Sequence, residues 1–591
     1  MKTPKLVSLV VACSLLAVAG CKGGCGKSIA ADGGPGAPAA SGKSGSLPTA
    51  DGKPAAPAAR HWLPLLQLVP EKPYALFFVG DPASVLANTK AAIVRLRGTT
   101  LGMTLEEIAR STVHKMGMPG VDAFDPATWT GRGLDLSKGA MLVQVDETHG
   151  FLGLGATDPA KVEPVVQAFL KRVDDVSTFE KSADGKVTLA LKADKTPAGG
   201  FAFHDGFVLI AGGPWKANAE VTAFFADLVK PGAVRFPASA VYQKLAAGVE
   251  LGRGAHLILP PTMVAGLPAD ARGVFTNFEG LALRIDGDQA GLNADVFLPT
   301  SPETSAILKA LAVPSAAAAQ LGLARSLGED TLLAAGGRFD IGALFKMFLS
   351  LLPPAKVAVE GAMERLKTKM DIDVEKELLG NLTGDSALAI HRIDAAVFPL
   401  AITGAIRELL AADPLHVTLL LRVKDAVVAS KFLRKMAALA EAGNEKVGAV
   451  EVFPVPLLRM AEADKALKGG PVMRFALAGD VLVLTLGKGR MEKALGALAA
   501  KDGPFAAKVA DPEAKRRLID QPGAPLAYVL GSILEQNLRD LEGALLKKGS
   551  LMLSNVVQKV IEVAEKFADV SLGGESVPGG LRAFLRVRFK Q

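Results

Sequence analysis

The residue that the sequence most directly predicts to react is a cysteine near its start, Cys21, through its sulfur. Lys2 and Lys5 precede an apolar run of twelve residues, Leu6–Ala17, and Cys21 follows that run after Val18–Gly20. Such a run is too short to cross about 30 Å of hydrocarbon as a stable helix, and the two lysines hold its start on the cytoplasmic side. We therefore predict that residues 1–20 form a signal peptide that is removed.

The residues at this junction resemble the lipobox of bacterial lipoproteins. Val18 occupies the aliphatic position, Ala19 and Gly20 occupy the small positions, and Cys21 is the required cysteine. The resemblance implies cleavage between Gly20 and Cys21, transfer of diacylglycerol to the sulfur, and acylation of the new amine by a fatty acid such as palmitate. Two or three acyl chains make a stable membrane anchor. Lys22, in place of an aspartate, implies forwarding to the outer membrane. The alternative is an ordinary signal peptide cleaved nearby.

The rest of the chain lacks the spacings that are typical of catalytic and metal sites. Gly26-Lys27-Ser28 resembles the end of a phosphate-binding loop, but Cys21 stands where that loop needs its first glycine. No two of the seven histidines lie three or four residues apart, and no cysteine follows Cys25, so a zinc site is not expected. Neither GxSxG nor SxxK occurs. We predict no catalytic residue, no metal and no cofactor.

One cluster of carboxylates, within residues 371–377, needs a separate explanation. Asp373 suits the N-cap of a helix, with Glu375 in the first turn. A calcium loop that started at Asp371 would need glycine where Lys376 stands. We interpret the cluster as the start of a helix.

Composition and charge exclude further classes. With 591 residues, of which 49% are apolar and 5% aromatic, the chain can bury a large core of Ala, Val and Leu. The formal charge of +7 falls to +5 without Lys2 and Lys5, and the basic residues form no long run. This distribution argues against nucleic acid as a partner. Residues 21–60 begin with Cys21, the cysteine to which the lipobox resemblance assigns the lipid. They are mainly Gly, Ala, Ser, Pro and Lys, which predicts a flexible tether after this cysteine.

The remainder of the chain repeats itself. Five blocks recur in the same order when residues 61–305 are compared with residues 320–591. In two of them an extended apolar segment ends at an aspartate that can cap the next helix. These aspartates are Asp81 and Asp340 in one pair and Asp158 and Asp425 in the other. The other three blocks are Leu136–Leu142 with Leu382–Leu388, Phe203–Ile210 with Leu477–Leu484, and Leu281–Leu298 with Val570–Phe589.

This repetition predicts an α+β fold of two tandem, internally duplicated halves, with mostly antiparallel sheets and packed helices. The predicted boundaries are 61–305 for the first repeat, 306–322 for a linker and 323–591 for the second repeat. Thr104 with Glu107 is a predicted capping box. Long amphipathic helices are predicted between Ile533 and Phe567.

The lipobox, tether and duplicated body together resemble envelope lipoproteins from myxobacteria-like proteomes, in a family whose domain has no assigned function. The preferred hypothesis is a non-catalytic binding or structural module for an envelope protein, polymer or lipid. It would be anchored at the periplasmic face or the surface of the outer membrane. The alternative is an envelope hydrolase with dispersed residues. An apolar groove or patch would favour the first, and a bonded Asp/His/Ser cluster in a cleft the second.

Overall fold

The computed structural model describes most of the predicted body. The described residues are 63–115, 121–249 except 123 and 174, 254–261, 279–300 except 288 and 289, 322–391 except 352, 416–456, 472–500, and 503–590 except 522 and 548. The predicted signal peptide, the tether and most of the predicted linker lie outside these residues.

Twenty strands of the described chain form one antiparallel sheet. In chain order they are β1 Ala75–Val79, β2 Ala140–Gln144, β3 Gly150–Gly155, β4 Thr178–Lys181, β5 Val187–Leu191, β6 Pro197–His204, β7 Phe207–Gly212, β8 Ala255–Leu259, β9 Leu281–Gly287, β10 Gly291–Pro299, β11 Thr331–Arg338, β12 Leu382–His391, β13 Val417–Val423, β14 Glu445–Val447, β15 Val450–Pro456, β16 Val472–Ala478, β17 Val481–Leu486, β18 Leu526–Leu530, β19 Phe567–Val577 and β20 Gly580–Phe589.

The strands of the two halves pair in the same order. In the first half the neighbours run β4-β5-β6-β7-β3-β2-β1-β8-β9-β10. In the second half they run β14-β15-β16-β17-β13-β12-β11-β18-β19-β20. Antiparallel pairing of β10 with β20 joins the halves, with Asp295 opposite Phe584. The predicted α+β fold with duplicated, antiparallel halves is therefore confirmed, and the halves meet as one continuous sheet.

The α-helices of the described residues also recur at matching places, since helices follow β1, β3 and β7 in the first half and β11, β13 and β17 in the second. They are α1 Leu63–Leu66, α2 Pro82–Arg95, α3 Thr100–Lys115, α4 Pro126–Thr130, α5 Pro159–Val173, α6 Asn218–Leu228, α7 Ala240–Gly248, α8 Ile341–Leu351, α9 Pro353–Met370, α10 Ala426–Leu439, α11 Arg490–Ala499, α12 Pro504–Lys508, α13 Pro512–Lys515, α14 Gly531–Lys547 and α15 Leu551–Ala564.

The four aspartates that the repeats align all lie at the starts of these helices. The Asp81 carboxylate accepts from the Ser84 N–H at 3.0 Å ahead of α2, and Asp340 accepts from the Ala343 N–H at 2.8 Å ahead of α8. Asp158 and Asp425 do the same for α5 and α10, at 3.1 Å and 2.8 Å. Each carboxylate satisfies an N–H that the first helical turn leaves without a partner, so the predicted caps are confirmed.

The predicted capping box at Thr104 is wrong. The helix begins at Thr100, and its first turn is closed by Thr99, whose hydroxyl accepts from the Gly102 N–H at 3.1 Å. Thr104 lies inside α3 and donates to the Thr100 carbonyl at 2.8 Å. The amphipathic helices predicted between Ile533 and Phe567 are confirmed as α14 and α15.

Hydrophobic cores cover the two faces of the sheet unequally. The first face, which carries Phe78 and Tyr528, packs against α1, α6 and α7 in one half and α11, α12 and α13 in the other. The second face packs against α5 near β7 and against α10 near β17. These two helices cover the outer parts of the second face, with Ile341 of α8 and Leu366 of α9 beside α10. At one end of the joining strands, α2 and α3 pack against Leu292, Phe567 and Phe589. In the middle of the joining strands, the second face exposes Leu572 and Leu585, whereas Asp569 and Ser571 on the first face are buried.

Candidate binding surface

The four residues of the predicted lipobox lie outside the described residues. For Val18, Ala19, Gly20 and Cys21 the predicted lipidation and cleavage therefore stay predictions. No helix of the described chain combines the length and apolarity that a membrane span requires. Within the same residues, no group of three or more His, Cys, Asp and Glu side chains is arranged to hold a metal ion.

The strands that join the two halves reverse the usual polarity of a sheet. Leu572 on β19 and Leu585 on β20 are 55% and 40% exposed, whereas Asp569 and Ser571, on the opposite face of β19, are buried. A sheet with one covered face normally buries its apolar alternation and exposes its polar one. On β19 the buried Asp569 and Ser571 are polar and the exposed Leu572 is aliphatic, whereas the covered face of β20 also holds the buried Phe584. An apolar surface therefore faces solvent near the middle of the sheet.

This surface is continuous across neighbouring strands, because cross-strand partners point to the same face. The register leads from Leu585 to Ala294 on β10 and Ile285 on β9, and from Leu572 to Ala527 on β18. All its members are at least partly exposed. We name this surface the apolar floor, and it consists of Leu257, Leu283, Ile285, Ala294, Val296, Leu333, Ala335, Ala527, Val529, Val570, Leu572, Leu585 and Val587.

The apolar floor has two chemical properties that limit what it can bind. Its side chains are all Leu, Ile, Val or Ala, with no aromatic ring and no charge. The main-chain N–H and C=O groups of these central strands are used in the ladders on both sides. The floor therefore offers dispersion and hydrophobic contacts but no hydrogen bonds to an occupant.

Beneath the floor, the first face of the same strands carries ion pairs. Asp295 is only 3% exposed. Its carboxylate accepts from Arg284 on β9 at 2.5 Å and from Arg582 on β20 at 2.8 Å. A buried carboxylate needs such partners, because its desolvation is otherwise costly. Asp295 thus ties together three strands, and one of its two arginines comes from the other half.

A second polar group on the first face surrounds Phe584. The guanidinium carbons of Arg517 and Arg586 lie 5.0 Å and 4.9 Å from its ring centroid, within cation–π range. On the neighbouring strand, Asp569 accepts from the Arg588 Nε at 2.8 Å, and this hydrogen bond raises the pKa of Arg588. These contacts explain why the polar face of the joining strands is the covered one.

One array in the second half contains the residue types of nucleophilic catalysis. His391, at the end of β12, has its Nδ1 3.1 Å from the Asp330 carboxylate and its Nε2 2.9 Å from the Thr418 hydroxyl. Arg490, at the start of α11, donates to the other oxygen of Asp330 at 2.6 Å. Burial opposes the charge on Asp330, but the hydrogen bonds from His391 and Arg490 outweigh it and hold the pKa of this carboxyl well below its usual range.

The order carboxylate, imidazole, hydroxyl is the one that a catalytic triad needs. His391 and Thr418 are each only 3% exposed, however, so solvent-borne substrate cannot reach the hydroxyl in this conformation. The array joins the segment before β11 to β12, β13 and α11. Its geometry supports a structural role, and no sequence pattern predicted it because Asp330, His391 and Thr418 are far apart along the chain.

The carboxylate cluster at residues 371–377 is a helix start, as predicted. Asp373 accepts from the Lys376 N–H at 3.0 Å and caps the π-helical turn Val374–Leu378. The other carboxylates pair with lysines at 3.1–3.2 Å, with Glu375 on Lys346 and both Asp371 and Glu377 on Lys435. These ion pairs explain the cluster without a bound ion.

Comparison with known proteins finds only distant structural similarity. No protein-family model matches the chain, and no curated protein matches it. Among solved structures, crystal forms III, IV and I of TP0453 align with TM-scores of 0.23, 0.24 and 0.23 at 10%, 9% and 10% identity. The alignments cover 40% of this chain and 79%, 79% and 78% of those chains.

Proposed function

We propose that this chain is an outer-membrane lipoprotein, anchored through Cys21, that binds an acyl-chain lipid on the apolar floor without changing it chemically. The reversed polarity of the joining strands carries the proposal, since Leu572 and Leu585 are exposed while Asp295, Asp569 and Ser571 on the opposite face are buried. Large exposed apolar patches on a folded protein mark sites of interaction. Covering these two side chains would contribute about 1 kcal/mol each.

Among the classes of occupant, the chemistry of the floor favours a lipid. A polysaccharide needs hydrogen-bonding groups, and the side chains of the floor have none. The centres of protein–protein interfaces are enriched in Trp, Tyr and Arg, which the floor also lacks. An alkyl chain needs only a smooth aliphatic surface. A lipid anchor at Cys21 would hold this surface next to a membrane and raise the effective concentration of lipids.

The proposal is tested with the predicted mature chain, residues 21–591, carrying Cys21→Ser so that no acyl group is attached. A fluorescent fatty acid is titrated against it, and the bound ligand is then examined by mass spectrometry. We expect saturable binding, displacement by phospholipid and a ligand of unchanged mass. Absence of saturable binding would overturn the lipid-binding function. Conversion of the ligand to a product would overturn the non-catalytic part.

The hydrolase alternative has one observation in its favour, the array of Asp330, His391 and Thr418. If the chain hydrolyses an ester, this array is the place where an activated hydroxyl would be found. A screen of the same mature chain against acyl esters, with Thr418→Val in parallel, separates the two functions. Turnover that disappears in Thr418→Val would favour the enzyme.

A further inference from the structure

The helical hairpin formed by α14 and α15 exposes an unusual concentration of apolar side chains. Five of them, within fifteen consecutive residues, are between 47% and 81% exposed, and they are Leu546, Leu551, Met552, Val556 and Val560. Single exposed apolar residues are ordinary on protein surfaces, but a contiguous group marks a contact surface.

This group is separate from the side of α15 that packs against the protein. Ser554, Ile561 and Ala564 are buried on the inner side, where Val557 also packs against α14. Met552, Val556 and Val560 follow one another at intervals of four residues and form a stripe along the outer side. The helix thus has a second apolar face that its own fold does not use. We name the five exposed residues the outer stripe.

The hairpin holds the outer stripe in a defined position. Gly549 has φ +75°, which closes the end of α14, and its N–H donates to the Leu546 carbonyl at 3.0 Å. At the base of the hairpin, Glu535 accepts from Arg539 at 3.1 Å and from Lys590, beyond the last strand, at 2.8 Å. Leu546 and Leu551 therefore lie on either side of a tight turn.

The charges around the stripe favour one class of partner. Residues 546–561 contain Lys547, Lys548 and Lys559 but no Asp or Glu, and no Arg or aromatic residue. Lys547 and Lys559 are exposed. Apolar side chains beside lysines, with carboxylates only beyond the two ends of the stripe at Glu542 and Glu562, suit the boundary between anionic headgroups and acyl chains. A second copy of this surface would instead bring lysines against lysines, which is unfavourable.

We propose that the α14–α15 hairpin docks on an anionic lipid bilayer. The outer stripe enters the boundary between headgroups and acyl chains, and Lys547 and Lys559 lie at the lipid phosphates. This contact does not depend on the acyl anchor at Cys21 or on the apolar floor, because it uses a different surface of the protein. It would fix how the body is oriented on a membrane.

The experiment measures co-flotation of the mature chain, residues 21–591 with Cys21→Ser, with lipid vesicles. One set of vesicles is phosphatidylcholine, and the other contains equal parts of phosphatidylcholine and phosphatidylglycerol. We expect partition into the anionic vesicles to be at least about tenfold stronger, and to weaken as salt is added. Lys547→Glu with Lys559→Glu should abolish this preference.

The stripe itself is tested with the triple variant Met552→Ser, Val556→Ser and Val560→Ser. Its matched control carries Val234→Ser, Val357→Ser and Val427→Ser, which replace apolar side chains of similar exposure elsewhere. All six side chains are exposed, so both variants should fold, and circular dichroism checks this. We expect at least a tenfold loss of partition in the stripe variant and none in the control.

Three results would overturn the proposal. They are no flotation of the parent chain with anionic vesicles, equal flotation of the stripe variant and the parent, and dissociation of an oligomer by the stripe substitutions without any change in flotation. The last result would assign the stripe to a second copy. Leu585→Glu, which changes the apolar floor only, should still float, so failure of lipid binding at the floor is distinguishable from failure of docking.

Discussion

Leu572 and Leu585 lie directly opposite each other on β19 and β20, in the interior of a twenty-stranded sheet, and both are largely exposed. On the other face of the joining strands, Arg588 donates to Asp569, and Arg582 donates to Asp295 on β10. The most apolar part of this region is thus the part that solvent reaches.

A charge on the apolar floor should weaken lipid binding without unfolding the protein. We expect Leu585→Glu to reduce the affinity for a fluorescent fatty acid by about tenfold or more, because a carboxylate would have to lose water beside the alkyl chain. The unfolding free energy should change by less than about 1 kcal/mol, since the side chain is exposed. Leu439→Glu, at a leucine of similar exposure on α10, is the control. Equal affinities of the two variants would remove the floor as the binding site.

Replacing Asp295 should lower the unfolding free energy of the protein. In Asp295→Ala, Arg284 and Arg582 lose the carboxylate that they share at the strands that join the halves. Removing one partner of a buried ion pair typically costs about 3–5 kcal/mol. Urea unfolding measures the loss. Glu106→Ala, which breaks the exposed pair with Arg110, should cost less than about 1 kcal/mol. A similar cost for both variants would contradict the role given to Asp295.

Thr418→Val should act on stability and leave lipid binding unchanged. The substitution keeps the shape of the side chain but removes the hydroxyl that is 2.9 Å from the His391 Nε2. A buried polar atom without a partner costs about 1–3 kcal/mol. Thermal unfolding and fatty-acid titration of the same sample measure the two effects. Unchanged stability would show that the hydroxyl does not support the array.

Acid should weaken the contacts of Glu513 with its two arginines. The hydrogen bond from Arg516, together with one from Arg517, lowers the pKa of Glu513 to about 2, although burial opposes the shift. A glutamate in an unfolded chain has a pKa near 4.3, about two pKa units above the folded value. The folded pKa is the lower one, so this contribution is complete above the unfolded pKa and is lost as the pH falls towards 2.

The measurement for Glu513 is the melting temperature of the parent chain and of Glu513→Gln between pH 6 and pH 2. We expect the parent to be more stable near neutral pH and the difference to shrink through the acidic part of this range. A difference in melting temperature that stays constant with pH would mean that ionisation of Glu513 does not contribute to stability.

The anchor is tested by metabolic labelling. Cys21→Ala removes the sulfur that the lipobox resemblance assigns to acylation, so labelled palmitate should enter the parent chain and not the variant. The variant should also remain uncleaved or leave the membrane fraction. Palmitate in the variant, or none in the parent, would contradict the anchor.

The sequence by itself determined the parts of the fold that depend on local interactions. Asp81, Asp158, Asp340 and Asp425 cap helices as predicted, because an aspartate after an apolar strand can satisfy the first free N–H groups of a helix within a few residues. The α+β class and the duplication followed from the same repeated blocks. The predicted capping box at Thr104 was wrong because Thr99, which also caps helices well, lies upstream and starts the helix earlier.

Tertiary structure decided where the two halves meet and which face of the sheet stays open. Alternation along β19 and β20 predicts two faces, one of them containing Leu572 and Leu585, but it does not say which face is covered. That depends on helices that come from distant parts of the chain, and on the pairing of β10 with β20, which no local pattern specifies. Helices cover the face that carries Asp295 and Asp569, whose ion pairs offset the cost of burying these carboxylates, and Leu572 and Leu585 on the aliphatic face are left exposed.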